Sequence, residues 1–463
     1  MTPAAPGKDA TPVGLARDLG LWASTALVVG TMIGTGIFLK PAEVAAKVGS
    51  VEWALLAWLV GGLLSLAGAL TYLELGTAMP ASGADCEYLK RGLSPVFGFL
   101  YGWNGSVVKG PTSVAALALA AVAFTGFFWP SLNSQGWKLG VLRISLGQGA
   151  AVLVILVQAL LNLIPVRLIG RIQVVMTSVK LLSLFGVLAA AFFLVPKSTG
   201  LVLLHSAPGP GPFLAGVGAS LWAYSGWHTL LRVGGEVDRP GRTMPRAILA
   251  GFAVTALLFM LVNLACFRAL PFEQVIRSRN VVSDMLSSIG GRTLAGWLTV
   301  AMIISALGTM HANLFAASRI PYALAKDKLL PRILGVVSPR TRIPVGAVVY
   351  KSLFASLLVL TGSFEELSSF YVFLQWLFFG MGGLALFRLR RLEPDLPRPV
   401  RAPGYPVVPA LFVLGSVVMT LQLYFQHPLR SSIGLMLLLT GVPVFLMARR
   451  GASRPLLTGV EPS

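Results

Sequence analysis

The segment Val29-Gly30-Thr31-Met32-Ile33-Gly34-Thr35-Gly36-Ile37-Phe38 puts three glycines within seven residues of an apolar run long enough to cross a bilayer. Each glycine lowers helix propensity by about 1 kcal/mol relative to alanine. In hydrocarbon, backbone released from a helix is tolerated only where it packs on protein or lines a cavity. The run must therefore do one of two things. It packs closely on a neighbour through small residues, for which the Gly30/Gly34 spacing is suited, or it breaks into two half-helices around a site. A second interruption, Ala223-Tyr224-Ser225-Gly226-Trp227, follows about 190 residues later. Paired interruptions in corresponding halves of a chain point to the substrate site of a transporter.

The rest of the chain has the composition of a protein whose solvent is lipid. Of 463 residues, 55% are hydrophobic and 12% charged, about half the charge of a soluble domain. Apolar stretches of about 20 residues recur throughout, as in a polytopic helical membrane protein. Twelve spans are expected, at about 20–39, 53–79, 94–126, 145–164, 168–195, 213–235, 246–270, 294–325, 343–361, 364–387, 405–424 and 431–448. An even number puts both termini on one side. With both inside, 23 of the 37 lysines and arginines fall on the cytoplasmic side and 10 outside, Lys109, Lys180, Arg319 and Lys351 being within spans. This bias is the positive-inside rule. It accounts for the net charge of +20 and argues against a nucleic-acid partner. It places the chain in the cell (inner or plasma) membrane, surrounded by lipid. No cleavable signal is expected at its start.

Two cysteines, Cys86 in a loop and Cys266 in a helix, read as free thiols. No spacing of cysteine and histidine suggests a metal, no enzyme-like Ser/His/Asp or Cys/His arrangement is present, and no cofactor is expected. Residues 1–19 and 449–463 read as cytoplasmic tails, and 271–293, too polar to span, as an external loop carrying a short surface helix with Asp284 and Met285. The first ten spans divide into two fives, 20–195 and 213–389. Five is odd, so the second set is inverted relative to the first. Spans 11 and 12, over 405–448, are accessory.

A break near Gly34 has a definite chemistry. The half-helix beginning near Thr35, Gly36 and Ile37 offers unpaired N–H groups and a positive dipole end to an anion. The half-helix ending near Met32 and Ile33 offers carbonyls to a cation. One break can hold both ends of a zwitterion. It is not a phosphate loop, because no Gly-Lys-Ser/Thr follows it.

These residues resemble the amino acid–polyamine–organocation (APC) superfamily, and within it a bacterial L-type amino acid transporter. Four stretches carry the resemblance, which covers about residues 18–400. They are Val29 to Phe38 with Pro41; Tyr72-Leu73-Glu74-Leu75-Gly76 with Pro80, Ser82-Gly83, Asp85 and Tyr88; Trp222 to Trp227 with Glu236-Val237, Pro240 and Pro245-Arg246-Ala247-Ile248; and Asn313 to Arg319 with Leu330-Pro331. The resemblance implies an all-α membrane protein of twelve transmembrane helices. Its fold would be LeuT-like, a five-plus-five inverted repeat with helices 1 and 6 interrupted, working by alternating access. It assigns substrate binding to Ile33, Gly34, Thr35 and Gly36 in the first break and to Trp222, Ala223, Tyr224, Ser225 and Gly226 in the second, with Trp222 as an aromatic gate. Ser225 and His228 depart from the residues common at those positions. It also implies that the ammonium of Lys180 replaces a sodium ion found in sodium-coupled relatives. Related eukaryotic chains bond to a heavy chain through a cysteine after span 3, and residues 127–144 contain none. No covalent heavy-chain subunit is expected.

The charged residues inside spans point the same way. Lys180 lies nine residues past Arg171, about 13.5 Å along a helix, beyond the reach of a lysine stem snorkelling to the interface. Lys109, beside Gly110 and Pro111, is a possible supporting residue or a structural pair. Glu74 is the one acid assigned to a span, and such scarcity disfavours ion symport and cationic substrates. His228 and His311 are either packing residues or proton carriers. The pocket candidates Ala223, Ser225, Gly226, Gly308 and Thr309 make a small, apolar pocket and favour small or medium neutral amino acids. The expected function is a sodium-independent exchanger of neutral L-amino acids and not an enzyme. The alternatives are a proton-coupled symporter of amino acids or polyamines using His228, His311 or Glu74, and a non-transporting membrane sensor.

Overall fold

A computed structural model describes residues 15–134, 136–139, 142–195, 207–278, 280–360 and 364–452. Most of both tails, with Lys8 and Arg454, and the segment 196–206, with Lys197, lie outside the described residues. The first apolar segment breaks where its glycines cluster. α1 (Leu21–Met32) ends at Ile33, whose ψ of 81° leaves the helical region, and α2 (Gly36–Val48) begins three residues later. The second half-helix runs well past the end expected at residue 39, so Lys40, Glu43 and Lys47 sit on it. Lys40 donates to Glu43 at 2.5 Å. Glu43 is thus a second acid within a span, contrary to the expectation that Glu74 stands alone.

α3 (Val51–Ala78) follows, with Ser50 capping its first turn. The connection expected as a loop around Cys86 is helical, α4 (Ala84–Gly92), entered through Gly83 at φ 74°. The Cys86 thiol is buried there, and burial pushes its pKa up. α5 (Pro95–Trp103) and α6 (Lys109–Thr125) form one long span joined by a π-helical turn, Asn104–Val108. The short α7 (Ser131–Ser134) and an antiparallel hairpin, Gly136–Leu139 with Leu142–Ser145, interrupt the all-helical pattern. α8 (Leu146–Leu161) opens with a capping box between Ser145 and Gln148. α9 (Val166–Leu194) carries Lys180.

The sixth apolar segment breaks as expected, into α10 (Pro210–Ala223) and the short α11 (Thr229–Arg232). α12 (Pro240–Ala269), α13 (Phe272–Arg277) and α14 (Val281–Ala317) come next. α14 bends sharply at Gly290 and Gly291, the latter at φ 64°. Its first part is not a surface helix: Val281, Val282 and Met285 are fully buried. α15 (Arg319–Lys326), α16 (Val345–Val359), α17 (Phe364–Leu392), α18 (Val407–Gln426), α19 (Pro428–Leu439) and α20 (Gly441–Ala452) complete the chain.

Among the described residues, nine helical segments are long and apolar enough to cross a membrane, and α8 and α16 are shorter apolar helices. Their outward faces carry bare leucine, valine and phenylalanine such as Leu63, Leu182 and Phe193, as a lipid-facing surface requires. The interior holds α1, α2, α6, α10 and the second part of α14. Trp227 and Trp376 pack on Phe379 in this core.

Candidate functional site

Two close approaches bring the broken segments together. A Cβ on Gly226, which has φ 128°, would lie 2.7 Å from the Thr31 carbonyl carbon and 2.8 Å from Met32 N. A Cβ on Gly36 would lie 2.7 Å from Ala223 Cα. Only glycine permits backbone to approach backbone this closely. Thr31 Oγ1 also donates to the Gly226 carbonyl at 3.1 Å. Each break is therefore the packing surface of the other.

A small pocket lies between them. Gly34, Thr35, Gly36, Trp222, Ser225 and Gly226 line it, as the sequence predicts. So do Thr31 and Met32, Ser113 and Leu117 of α6, Thr229 and Arg232 of α11, and Thr309 and Asn313 of α14. About 30 Å³ is open to the centre of a water-sized sphere, enough for about two waters. The lining is hydroxyl- and amide-rich, which corrects the apolar pocket expected from sequence.

Three helix ends converge here. α1 and α10 present C-terminal ends, with negative dipole character, and α2 presents its N-terminus. No side chain caps α2, so the N–H groups of Gly36 and Ile37 have no intrahelical partner. Thr35 Oγ1 is buried with no hydrogen-bond partner among the described residues. Asn313 donates to Ser113 Oγ at 2.7 Å, which leaves its amide oxygen as an acceptor.

Lys180 reaches inward. Its Nζ donates to Gly30 O at 2.7 Å, Thr309 Oγ1 at 2.8 Å and Ile33 O at 3.0 Å. The side chain is 1% exposed. The last carbonyls of α1 and the hydroxyl of α14 thus cage a cation between three helices. This corrects one assignment. The Ile33 carbonyl also accepts from Ser305 Oγ and Thr309 Oγ1, both at 3.2 Å, so its lone pairs are taken and it has none for a substrate ammonium. Gly30 is a packing residue: a Cβ there would strike Gln173 and Thr177 of α9.

Other candidates lie elsewhere. Ala223 backs Gly36, and the Tyr224 ring packs away from the pocket on Trp58, Phe252 and Phe259. Glu74 is 1% exposed and paired with Arg390 at 2.6 Å and Arg398 at 3.1 Å, and it accepts from Ala402 N. His311 turns toward Asn162 at 3.0 Å and Gln158 at 3.2 Å. His228 packs against Trp227 and Phe379. Neither histidine lines the pocket. Lys109 lies 5.9 Å from the centre of the Tyr101 ring. Arg232 is buried against Asp85 at 3.0 Å. Nothing in the local sequence of Ser113 or Arg232 marks them for the pocket. Asn313 was visible only as part of a motif.

A buried ion pair ties the segment after α11 to the start of α15. Arg319 and Glu236, both fully buried, make two hydrogen bonds of 2.7 Å. The backbone of Leu19 pairs with Glu236 and Asp238 at 3.0 Å.

Two interrupted helices crossing at a buried polar pocket, inside a bundle of apolar spans, define a membrane transporter. The chain belongs to the amino acid permease family, whose model matches residues 19–446, and within the APC superfamily it is an L-type-like amino acid transporter. It is 29% identical to the serine/threonine exchanger SteT of Bacillus subtilis (strain 168), over 95% of this chain and 99% of that one. It is 30% identical to the cystine/glutamate transporter of Homo sapiens, over 96% and 87% of the two chains. The large neutral amino acids transporter small subunit 2 of Homo sapiens is 29% identical, over 95% and 82%.

Proposed function

We propose that this protein exchanges small neutral L-amino acids across the cell membrane by alternating access, without sodium. Twelve spans with both termini cytoplasmic, as two inverted sets of five over 20–195 and 213–389 and an accessory pair over 405–448, are the topology of this reading. The substrate carboxylate meets Gly36 N, Ile37 N and Thr35 Oγ1. The ammonium meets the C-terminal end of α1 and the amide oxygen of Asn313. Trp222 covers the site. The hydroxyl-rich lining supports small, hydroxyl-bearing side chains, in keeping with a serine/threonine exchanger among the relatives.

The observation that carries the reading is the Lys180 cage. A fixed ammonium on the Gly30 and Ile33 carbonyls supplies the positive charge that a coupling cation would otherwise bring to the C-terminal end of α1. A proton-coupled mechanism has less support, since Glu74 is bound by two arginines and neither His228 nor His311 borders the pocket. A heavy-chain disulfide is disfavoured because Cys86 and Cys266 are both buried.

Proteoliposomes test the proposal. Uptake of labelled serine in sodium-free buffer is expected to accelerate when unlabelled serine is trapped inside. Equal uptake into empty and loaded vesicles would reject exchange. The Lys180→Ala variant is expected to lose most sodium-free uptake, and full activity would reject the role given to Lys180.

A further inference from the structure

Arg232 is the one charged side chain among the described residues lining the pocket. Its Nε donates to Asp85 Oδ2 at 3.0 Å and its Nη2 to the Tyr101 hydroxyl at 2.8 Å. The Tyr101 hydroxyl in turn donates to Asp85 Oδ2. The Arg232 and Asp85 side chains are 5% and 4% exposed. Asp85 Oδ1 is buried with no partner among the described residues. The Arg232 guanidinium and the Lys109 ammonium lie 6.0 Å and 5.9 Å from the Tyr101 ring centre. Lys351, the next buried cation, donates to the Gly105 and Ser106 carbonyls of the π-helical turn. One carboxylate, set behind the pocket lining, therefore pairs with the charged side chain that the lining holds.

We propose that Asp85 sets the charge specificity of the pocket. By pairing with Arg232 it keeps the site for uncharged polar side chains. Without it, Arg232 becomes the anchor for an acidic side chain. A charged group buried in low dielectric needs a counter-charge held by hydrogen bonds, and Asp85 supplies it. The guanidinium is a planar fork matched to a carboxylate, so once residue 85 carries no charge a substrate carboxylate can pair with Arg232 from the pocket side. With Asp85 present, the guanidinium is already neutralised when an acidic side chain enters, and a cationic one meets Arg232 at the lining. Discrimination should therefore act against both signs. This inference rests on the pocket being an amino acid site, and its test separates the two.

The experiment uses the full chain in proteoliposomes, with asparagine, aspartate and 2,4-diaminobutyrate competing against labelled serine. In the wild type, asparagine is expected to compete at least tenfold better than either charged isostere. In Asp85→Asn, aspartate is expected to improve at least tenfold. That gain should vanish in the Asp85→Asn/Arg232→Gln double variant, whose buried pair is neutral and whose folding is checked by thermal unfolding. Wild-type competition by aspartate equal to that by asparagine overturns the proposal. So does an Asp85→Asn variant that transports serine without gaining aspartate, or a double variant that keeps the gain. If Asp85→Asn does not fold, the wild-type series alone decides. Failure of the wild type to take up any neutral amino acid would refute the amino acid reading itself.

Discussion

Gly36→Ala puts two effects of known size against each other. Alanine at the start of α2 favours the helix by up to about 1 kcal/mol over glycine. The new Cβ would lie 2.7 Å from Ala223 Cα, 2.8 Å from Ala223 Cβ and 3.1 Å from Trp222 Cδ1, where ordinary contact begins at 3.4 Å. α2 and α10 must then separate by about 0.7 Å, and the nearest atom is backbone, which cannot rotate aside. Overpacking of this kind costs about 1–3 kcal/mol. The net loss of stability is about 0–2 kcal/mol, so the variant folds. Binding suffers more, because the displaced Gly36 and Ile37 N–H groups are those assigned to the carboxylate. A misplacement approaching 1 Å at a positioning group is worth about tenfold to a hundredfold. The assay is a thermal-shift titration of purified protein with serine, since a ligand of the native state raises stability with its concentration over Kd. Gly186→Ala is the control: it is on exposed helix α9 with nothing within 4 Å of its Cβ, and it should leave affinity unchanged. Wild-type serine affinity in Gly36→Ala would refute the carboxylate assignment.

Two further outcomes are expected. Thr35→Val removes a buried hydroxyl without a protein partner among the described residues, so the unfolding temperature should hold or rise while serine affinity falls about tenfold. A parallel loss of both would show a structural role instead. Glu236→Gln leaves the fully buried Arg319 guanidinium without its counter-charge, which costs about 3–5 kcal/mol. Thermal unfolding checks it, and an unchanged midpoint would contradict a stabilising role for the buried Arg319–Glu236 pair.

Much of this was legible before any coordinate. Glycine at 30, 34 and 36 weakens an apolar helix, which left close packing or a break, and the second weak point at Tyr224–Gly226 favoured paired breaks. Lys180 is too far from an interface to snorkel, so its ammonium had to turn inward. What sequence could not assign is which neighbour each residue meets. Gly30, Gly34 and Gly36 share one segment but face α9, Thr309 and Ala223, because a helix and its break send consecutive residues in different directions. Ile33 looked like a substrate ligand until the fold brought Lys180, Ser305 and Thr309 onto its carbonyl. Ser113, Arg232 and Asn313 come from three distant segments and share a pocket only through packing. The sequence by itself determined where the chain must break and that a buried cation lies nearby, since both are set by propensity and the cost of charge in lipid. Only the tertiary structure decided which carbonyls that cation occupies and which groups remain for a substrate, because hydrogen-bond partners are chosen by helices far apart in the chain.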